Sequence, residues 1–250
     1  MNGFIVPDWP APANIRAFTT TREGGSSVDP FASFNLAGHV GDSEEALAAN
    51  RRRLRALLPE LPAEPLWLNQ VHGSHAVFAE STEPGAAADA SICRDDRHVC
   101  AILSADCLPV LLCDDGGSAV AAAHAGWRGL AGGVIEAAIA AMKLPPEHLL
   151  AWLGPAIGPQ AFEVGDEVRA AFIARNPDAA SAFVVREPGK WLCDLYLLAR
   201  QRLAGAGVTR VYGGNFCTLT DARRFYSYRR DGHTGRMATL VWIDRCSGRV

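Results

Sequence analysis

Residues 104–130, with the sequence SADCLPVLLCDDGGSAVAAAHAGWRGL, constrain the fold of this chain more than any other segment. They read as an apolar strand, a turn at residues 114–117, a second apolar strand and the start of a helix. If the two strands are antiparallel neighbours, the start of the first lies beside the end of the second. Cys107 immediately precedes the first strand, and His124 ends the second. We therefore expect these two side chains to be adjacent in space.

Short apolar runs alternate with a few helical patterns along the rest of the chain. The predicted strands cover residues 15–21, 66–71, 75–79, 99–103, 109–113, 119–124, 149–153, 182–185, 208–212, 225–228 and 237–243. The predicted helices cover residues 43–58, 130–142, 166–175 and 194–203, each followed by a proline or glycine that stops it. No long Pro, Gly or Ser linker interrupts the pattern, so we expect a strand-rich protein of mixed α and β structure that forms one domain over residues 1–250.

The first predicted helix begins with a capping pattern, in which Asp42 accepts from free N–H groups and Glu45 reaches back. On this register Asn50 and Arg51 fall within the apolar stripe, whereas Arg52 and Arg53 point to solvent. An inward arginine needs a partner, so we expect Arg51 to contact a buried carboxylate or an anionic ligand.

The composition favours a small-molecule partner. A formal net charge of −3 over 250 residues supplies no strong field for nucleic acid or anionic lipid. No run of eighteen apolar residues and no basic, apolar leader occurs, so we expect neither a membrane span nor a signal peptide. The seven cysteines include no CxxC pair, a usage typical of reduced thiols, and we expect a cytoplasmic protein.

Three potential metal ligands stand at predicted strand ends. Cys107 and His124 alone are compatible with a thiolate–imidazolium pair for covalent catalysis, with two metal ligands or with packed core residues. The segment LWLNQVHGS at 66–74 adds His72, which closes another apolar run at a glycine. Three protein donors with a fourth position open are typical of catalytic rather than structural zinc, which favours the metal interpretation.

Blocks along nearly the whole chain resemble the YfiH-type laccase-domain family, whose members are also called polyphenol oxidases and purine nucleoside phosphorylases. The blocks are TTREGGSS at 19–26, FNLAGHVGD at 34–42, NRRRL at 50–54, NQVHGS at 69–74, ADCLPVLLCD at 105–114, AAHAGWRGL at 122–130, GPAIGPQAFEVG at 154–165 and FYSYRRDGHTGRMATLVWI at 225–243.

The resemblance implies that His72, Cys107 and His124 are the metal ligands, with Zn²⁺ or Cu²⁺ as the ion. It also implies an α+β fold in α/β/β/α layers, with mixed β-sheets flanked by helices, similar to the catalytic domain of cytotoxic necrotizing factor. The implied reaction is phosphorolysis of adenosine, inosine and methylthioadenosine to a base and a pentose 1-phosphate, with adenosine deaminase activity at the same site. The implied partners are thus a purine nucleoside and phosphate.

The name laccase implies multicopper chemistry, which requires ligands that can be looked for in the sequence. A multicopper oxidase holds three of its coppers with His-x-His pairs, whereas this chain has seven histidines and no such pair. Met1, Met142 and Met237, the potential axial ligands of a blue-copper site, are remote in sequence from the three ligands. We therefore expect copper to be able to bind, with a copper-dependent polyphenol oxidase activity left as an alternative, but four-copper chemistry to be absent.

Further residues are candidates for substrate binding and proton transfer. Residues 126–133 (GWRGLAGG) offer N–H groups at a helix start, and we expect Arg128 there, with Arg51, to bind phosphate. The alternative is that Arg128 pairs with Asp106 or Glu163. These two carboxylates are themselves candidate acid–base catalysts or supports for a ligand.

The remaining candidates have either a role in substrate binding or an ordinary structural role. Gln70 lies on the side of the strand that carries His72, which suits substrate binding. Arg229, with its neighbours Tyr228 and Arg230, either lines the pocket or belongs to a solvated hairpin that turns at Asp231-Gly232. Trp127 and Phe162 are either stacking surfaces for a purine or core residues.

Two other classes of protein remain open. One is a cysteine hydrolase acting on peptidoglycan precursors, with Cys107 as nucleophile and His124 as its base. The other is a binding module with a structural zinc, against which the count of three ligands argues.

Overall fold

The computed structural model describes residues 4–244, and no helix in that range is long and apolar enough to cross a membrane. The strands are β1 (Phe4–Ile5), β2 (Ile15–Thr20), β3 (Ala76–Phe78), β4 (Ala90–Cys93), β5 (Val99–Ser104), β6 (Leu108–Asp114), β7 (Val120–Ala125), β8 (Leu149–Leu153), β9 (Glu163–Gly165), β10 (Phe183–Glu187), β11 (Lys190–Cys193), β12 (Arg210–Gly213) and β13 (Met237–Ile243). The α-helices are α1 (Glu44–Leu57), α2 (Trp127–Gly132), α3 (Val134–Met142), α4 (Asp166–Ile173), α5 (Leu195–Gly205) and α6 (Tyr228–Asp231).

The strands form three sheets. A six-stranded mixed sheet has the order β12-β8-β6-β7-β4-β3, and its two outer pairs, β12 with β8 and β3 with β4, are parallel. A four-stranded antiparallel sheet has the order β1-β2-β13-β5, and a small sheet joins β10, β11 and β9. The six-stranded sheet therefore holds the β6–β7 hairpin at its centre, where the sequence contains Cys107 and His124.

The alternation of side chains along the strands produces the layers. Along β13, Leu240 and Trp242 pack in one apolar cluster with Leu54 of α1, whereas Val241 and Ile243 belong to a second cluster with residues of the six-stranded sheet. These opposite directions place α1 on the outer face of the four-stranded sheet.

The six-stranded sheet shows the same alternation. Along β7, Val120 and Ala122 lie in the cluster between the two sheets, whereas Ala121 and Ala123 pack with Ile135 and other apolar residues of the helices. Small alanine side chains allow α3 to lie close to this sheet. The prediction of α/β/β/α layers with mixed sheets and flanking helices is confirmed.

Two predicted strands are wrong. Residues 66–71 form only isolated bridges, from Leu66 to Cys100 and from Asn69 to Ala87, because the backbone switches partners after three residues. Residues 225–228 run into α6, whose N-terminus is capped by the Ser227 hydroxyl accepting from the N–H of Arg230. Gly232 therefore ends a helix at a φ of 67°, and the predicted hairpin at this point does not exist.

The predicted helix at residues 130–142 is two helices. Gly133 adopts a left-handed φ of 101° between α2 and α3, and it closes α2 by donating to the carbonyls of Gly129 and Leu130. Only glycine adopts this conformation without strain, so α2 begins earlier and runs in its own direction. The short strands β1, β4, β9 and β11 were absent from the prediction, since runs of two to four residues carry too little periodicity.

The cap of α1 also differs from the prediction. Ser43, not Asp42, is the N-cap residue, and its hydroxyl accepts from the N–H of Ala46 at 3.1 Å. The Asp42 carboxylate instead accepts from the Ser27 hydroxyl and the Asn35 amide. It thereby fixes the loop that precedes the helix.

Asn50 faces inward, as its position in the apolar stripe predicts, and it organises this loop. Its side-chain oxygen accepts from the N–H of Ser26, and its amide nitrogen donates to the Ser27 hydroxyl and to the carbonyls of Ser33 and Asn35. Asn50 is fully buried, so these groups have no access to water. One side chain thus ties the segment 26–35 to α1.

Replacing Asn50 with alanine is expected to lower the free energy of unfolding by about 2–4 kcal/mol, because several buried donors and acceptors lose their partner. Urea denaturation of both proteins measures the difference. Arg52→Ala, at an exposed position on the same helix, is the control and is expected to stay within about 0.5 kcal/mol of wild type. Equal stabilities for the two variants would contradict the role given to Asn50.

Candidate metal centre

The β6–β7 hairpin brings Cys107 and His124 together. Leu108 pairs with Ala125 and Pro109 pairs with His124, so the start of β6 lies beside the end of β7 as the sequence predicts. His72 reaches the same point from the segment that crosses the end of the sheet, and its Nε2 lies 3.7 Å from the Cys107 Sγ. The rings of His72 and His124 have centroids 4.8 Å apart. The three ligand atoms all lie within 4.8 Å of one another.

These separations fit one metal ion. Zinc bonds of about 2.0–2.1 Å to nitrogen and about 2.3 Å to sulfur, at tetrahedral angles, place a sulfur and a nitrogen about 3.5 Å apart. The distance between Cys107 and His72 already approaches this value. Two imidazoles and one thiolate therefore supply a donor set that suits zinc or copper and leaves a position for a reactant.

The buried carboxylate of Asp89 orients two of the three ligands. Its Oδ1 lies 2.9 Å from the His124 Nδ1, so the Nε2 of that ring would be the atom available to a metal ion. The same carboxylate accepts from the backbone N–H groups of Val71, His72 and Gly73. His72 has a φ of 58°, a left-handed conformation that these three hydrogen bonds hold in place. A carboxylate behind a metal-binding histidine fixes its tautomer and its direction.

The ionisation of Cys107 suits metal binding, whereas His124 would have to release a proton to become a ligand. Burial opposes ionisation of the Cys107 thiol, but the charge and hydrogen bond of His124, together with His72, lower its pKa to about 6. Burial likewise opposes the charged form of His124, but Cys107 and Asp89 raise the pKa of this imidazole to about 9. Because the thiolate is the metal-binding form of cysteine, the site presents a ligand that is ready to bind a cation.

The ligands face a cavity of about 380 Å³, within the usual range for small-molecule sites. The aromatic side chains of Trp127, Phe162 and Tyr228 line it, and so do the basic side chains of His39, Arg229 and Arg236. Asp106 lies between these walls, with a φ of 85°, directly before Cys107.

Asp106 joins the far end of the chain to the metal centre. Its carboxylate accepts from the hydroxyls of Thr218 and Ser227 and from the N–H of Arg229 at 2.7 Å. These contacts hold the start of α6, and with it Tyr228 and Arg229, against the cavity.

The structure brings some of the predicted substrate residues to the cavity and not others. Gln70 and Arg229 line it, although both ends of the Gln70 amide pair with the backbone of Leu103. Glu163 does not, because its carboxylate pairs with Arg186 at 2.7 Å. Trp127 and Phe162, left open between stacking surface and core, line the cavity.

Two predicted phosphate-binding arginines lie outside the cavity lining. The guanidinium of Arg128 is exposed and stacks on the Trp127 ring at 4.4 Å, and in residues 4–244 it forms no ion pair with Asp106 or Glu163. Arg51 donates to the carbonyl of Leu36 and lies 4.7 Å from the centre of the Trp67 ring, so its contacts are a carbonyl and an aromatic face rather than the expected carboxylate or anion.

Sequence reasoning missed Asp89, His39 and Arg236. All three lie in segments without a recognisable local chemical motif, and the fold alone brings them to the ligands. His39 and Arg236 fall within two of the blocks of the family resemblance, at residues 34–42 and 225–243, which is the signal that points to them.

A second group of potential ligands, Cys93, Asp95 and His98, lies in the turn between β4 and β5. Its hydrogen bonds account for it without an ion. The Cys93 thiol lies 3.2 Å from the carbonyl of Asp95, and the Asp95 carboxylate accepts from the His98 ring and from the N–H of Arg97. Burial raises the pKa of the Cys93 thiol well above its usual range, which opposes metal binding.

Comparisons with known proteins identify relatives that cover nearly the whole chain. The chain is 54% identical over 244 residues to a purine nucleoside phosphorylase of Pseudomonas aeruginosa, covering 97% of this chain and 99% of that protein. It is 51% identical to the purine nucleoside phosphorylase YfiH of Escherichia coli, covering 97% and 100% of the two chains. A crystal structure of a Neisseria meningitidis protein, 51% identical, superposes with a TM-score of 0.93 over 97% of this chain and 100% of that one.

YlmD of Geobacillus stearothermophilus has the same fold at 30% identity, with a TM-score of 0.90 over 98% of this chain and 97% of that one. The model of a family described as "Multi-copper polyphenol oxidoreductase laccase" matches residues 16–244. The chain therefore belongs to this laccase-domain family, together with the YfiH-type proteins.

Proposed function

We propose that this protein is a metal-dependent purine nucleoside phosphorylase that acts on adenosine, inosine and methylthioadenosine and that also deaminates adenosine. The observation that carries the proposal is the convergence of His72, Cys107 and His124 at a cavity of about 380 Å³. The names of the relatives from Pseudomonas aeruginosa and Escherichia coli support the choice of reaction. We further propose that the ion is zinc, with copper as the alternative.

The walls of the cavity suit a purine nucleoside. Trp127 and Phe162 offer aromatic surfaces on which a purine can stack, and such contacts add to the burial of the ring. The Asp106 carboxylate already accepts three hydrogen bonds from protein donors, so we assign it the positioning of Arg229 and the α6 start rather than proton transfer. Glu163 is not included in the mechanism, since its carboxylate pairs with Arg186.

In phosphorolysis, an oxygen of phosphate forms a bond to the anomeric carbon while the bond from that carbon to the purine nitrogen breaks. The base leaves with the electron pair and takes up a proton, and the pentose leaves as its 1-phosphate. A bound ion would supply a Lewis acid at the end of the cavity. Asp89 holds His124 and the His72 loop in the orientation that this role needs, and the aromatic walls limit the access of water.

The chemistry of a four-copper oxidase is not part of the proposal. The seven histidines of the chain all lie within residues 4–244, and the second group of potential ligands there contains a single histidine, His98. Three coppers held by pairs of histidines need more imidazoles than this arrangement provides. We also propose a cytoplasmic location, which the six free thiols among the described residues support.

Removal of the metal is expected to lower base release from inosine by about 100-fold or more, since a Lewis acid contributes several kcal/mol to such reactions. Metal analysis of the purified protein tests whether an ion is bound. An assay of base release with and without inorganic phosphate tests whether the reaction is phosphorolysis. Cys107→Ser is expected to lose metal and activity together. Cys217→Ser, at a half-buried cysteine outside the ligand group, is the control and is expected to keep both.

The same assays separate the alternatives. A cysteine hydrolase built on Cys107 and His124 retains its activity after chelation and loses it on alkylation. A binding module with a structural zinc loses stability on chelation and turns over no nucleoside. Base release at the same rate without phosphate would replace phosphorolysis by hydrolysis.

A further inference from the structure

One wall of the metal cavity carries the guanidinium of Arg236 and the imidazole of His39, and no carboxylate among residues 4–244 pairs with either of them. The Nη1 of Arg236 donates to the carbonyls of Thr234 and Gly235. Its Nε and Nη2 have no hydrogen-bond partner in the described part of the chain, although the side chain is only partly exposed. An arginine with donors left free in a cavity is arranged to bind an anion.

Arg236 lies close enough to His39 and to the candidate ligand Cys107 for their charges to interact. Burial lowers the pKa of the Arg236 guanidinium, and the negative charges of Cys107 and Asp106 offset part of that effect. Burial and the charge of Arg236 lower the pKa of His39. The lowered pKa leaves His39 mainly a neutral imidazole at pH 7, which can still donate one N–H, while Arg236 carries the positive charge of this wall.

The protein builds this wall from two distant segments and one buried side chain. Asn35, which is fully buried, accepts from the N–H groups of Arg236 and Ala37 and donates to the carbonyl of Ala37. The ring of His233 contacts the carbonyl of Val40 at 2.6 Å and so holds the other side of the His39 loop. The positions of Arg236 and His39 are therefore fixed before any ligand binds.

The other arginines near the cavity are less suited to this role. Arg229 donates to the carbonyl of Glu163 and lies 5.3 Å from the centre of the Phe162 ring, where it supports the aromatic wall. Arg128 stacks on Trp127 and does not line the cavity. The N-terminus of α2, which the sequence suggests as an anion site, belongs to a helix of only six residues.

We propose that Arg236 and His39 form the subsite that holds inorganic phosphate, or a similar tetrahedral oxyanion, beside the metal ligands. The proposal rests on the proposed function, because it assigns the second substrate of phosphorolysis to a place in the same cavity. Arg236 supplies charge-assisted hydrogen bonds from its free donors, and His39 adds a donor from the neighbouring loop. The nucleoside then takes the aromatic side of the cavity.

The test compares metal-loaded wild type with Arg236→Gln, Arg236→Lys and His39→Gln. We expect Arg236→Gln to raise the KM for phosphate by about 10- to 100-fold, as for the loss of charge-assisted hydrogen bonds, and to change the KM for inosine by less than about twofold. Arg236→Lys keeps the positive charge, so its KM for phosphate is expected to lie between the values of wild type and Arg236→Gln. His39→Gln is expected to raise the same KM by a smaller factor, since one donor is affected.

Arg52→Gln, an exposed arginine on α1, is the control and should leave both KM values unchanged. Metal content of each variant is measured in parallel, because a merely structural effect would lower it. An unchanged phosphate KM in Arg236→Gln and His39→Gln, or a rise confined to Arg128→Gln, overturns the proposal. If Arg236→Gln does not fold, the phosphate KM values of Arg236→Lys and His39→Gln test the proposal, and unchanged values in both overturn it.

Calorimetric titration with inorganic phosphate separates this proposal from the proposed function. If wild type releases base equally well without phosphate, the phosphorylase function fails, and the titration still asks whether phosphate binds at Arg236. A Kd for phosphate that is about 10-fold or more higher in Arg236→Gln than in wild type supports the subsite. No binding by wild type, or equal binding by wild type and variant, overturns it.

Discussion

Replacing Asp89 with asparagine is expected to lower the affinity for the metal by about 10- to 100-fold, the usual effect of changing a carboxylate that supports a metal-binding histidine. The Asp89 Oδ2 accepts from the N–H groups of Val71 and Gly73, and its Oδ1 contacts His72 N–H and the His124 ring. The amide of asparagine at position 89 would place its NH₂ group, itself a donor, against the donors that one of the two carboxylate oxygens now accepts from. Either the His72 loop or the His124 ring then loses its support.

The same substitution is expected to lower the free energy of unfolding by about 1–3 kcal/mol, because buried N–H groups lose an acceptor. Metal content per chain and urea denaturation measure the two effects separately. Asp114→Asn is a matched control, since the nearly buried Asp114 carboxylate also accepts from backbone N–H groups, of Ser118 and Ala119, but at the opposite end of the β6–β7 hairpin. It should lower stability while the metal is retained. Full metal content in Asp89→Asn would refute the orienting role.

The part of the site that could be predicted from the sequence is the part that local rules determine. Two apolar runs joined by a Gly-containing turn form an antiparallel hairpin, and the register that follows places Cys107 beside His124. The expectation of α/β/β/α layers comes from the resemblance to the family, since β13 and β7 are buried on both faces and show no polar alternation that would reveal the layers.

Long-range contacts determine the part that could not be predicted. His72 follows a segment whose backbone bonds two different partners, Cys100 and Ala87, so no strand pattern describes it. Its left-handed φ depends on Asp89, seventeen positions further along the chain, and nothing near Asp89 in the sequence signals this role. Similarly, Asn35 joins His39 to Arg236 across some two hundred residues.

The error at residues 225–228 has a specific cause. Aromatic residues followed by Asp-Gly are typical of a strand and its hairpin turn. Here the Ser227 hydroxyl instead caps a short helix, and the Asp106 carboxylate accepts from Ser227 and from the N–H of Arg229. A tertiary contact with the metal site therefore overrides the local preference. Arg229 reaches the cavity for that reason and not as part of a hairpin.

Replacing Gly126 with alanine is expected to lower the activity by about 100-fold or more, a loss typical of a displacement of about 1 Å at a reacting centre. Gly126 precedes α2 with φ −59° and ψ 154°, a conformation that alanine adopts without strain. The cost therefore arises from contact alone. An added Cβ would lie 2.9 Å from the Cys107 Sγ and 2.9 Å from the His72 Cδ2. Cys107 and His72, the proposed metal ligands, would have to move apart to admit one methyl group.

Gly132→Ala in the same helix is the matched control, because a Cβ there meets only the Ser74 Cβ at 3.9 Å. It is expected to retain full metal content and activity and to gain up to about 1 kcal/mol of stability from the better helix former. Metal analysis, steady-state rates with inosine and phosphate, and thermal unfolding compare the two variants directly. If Gly126→Ala has the same metal content and the same rate as Gly132→Ala, Cys107 and His72 tolerate displacement. The close packing of α2 against these two residues would then not be required for activity.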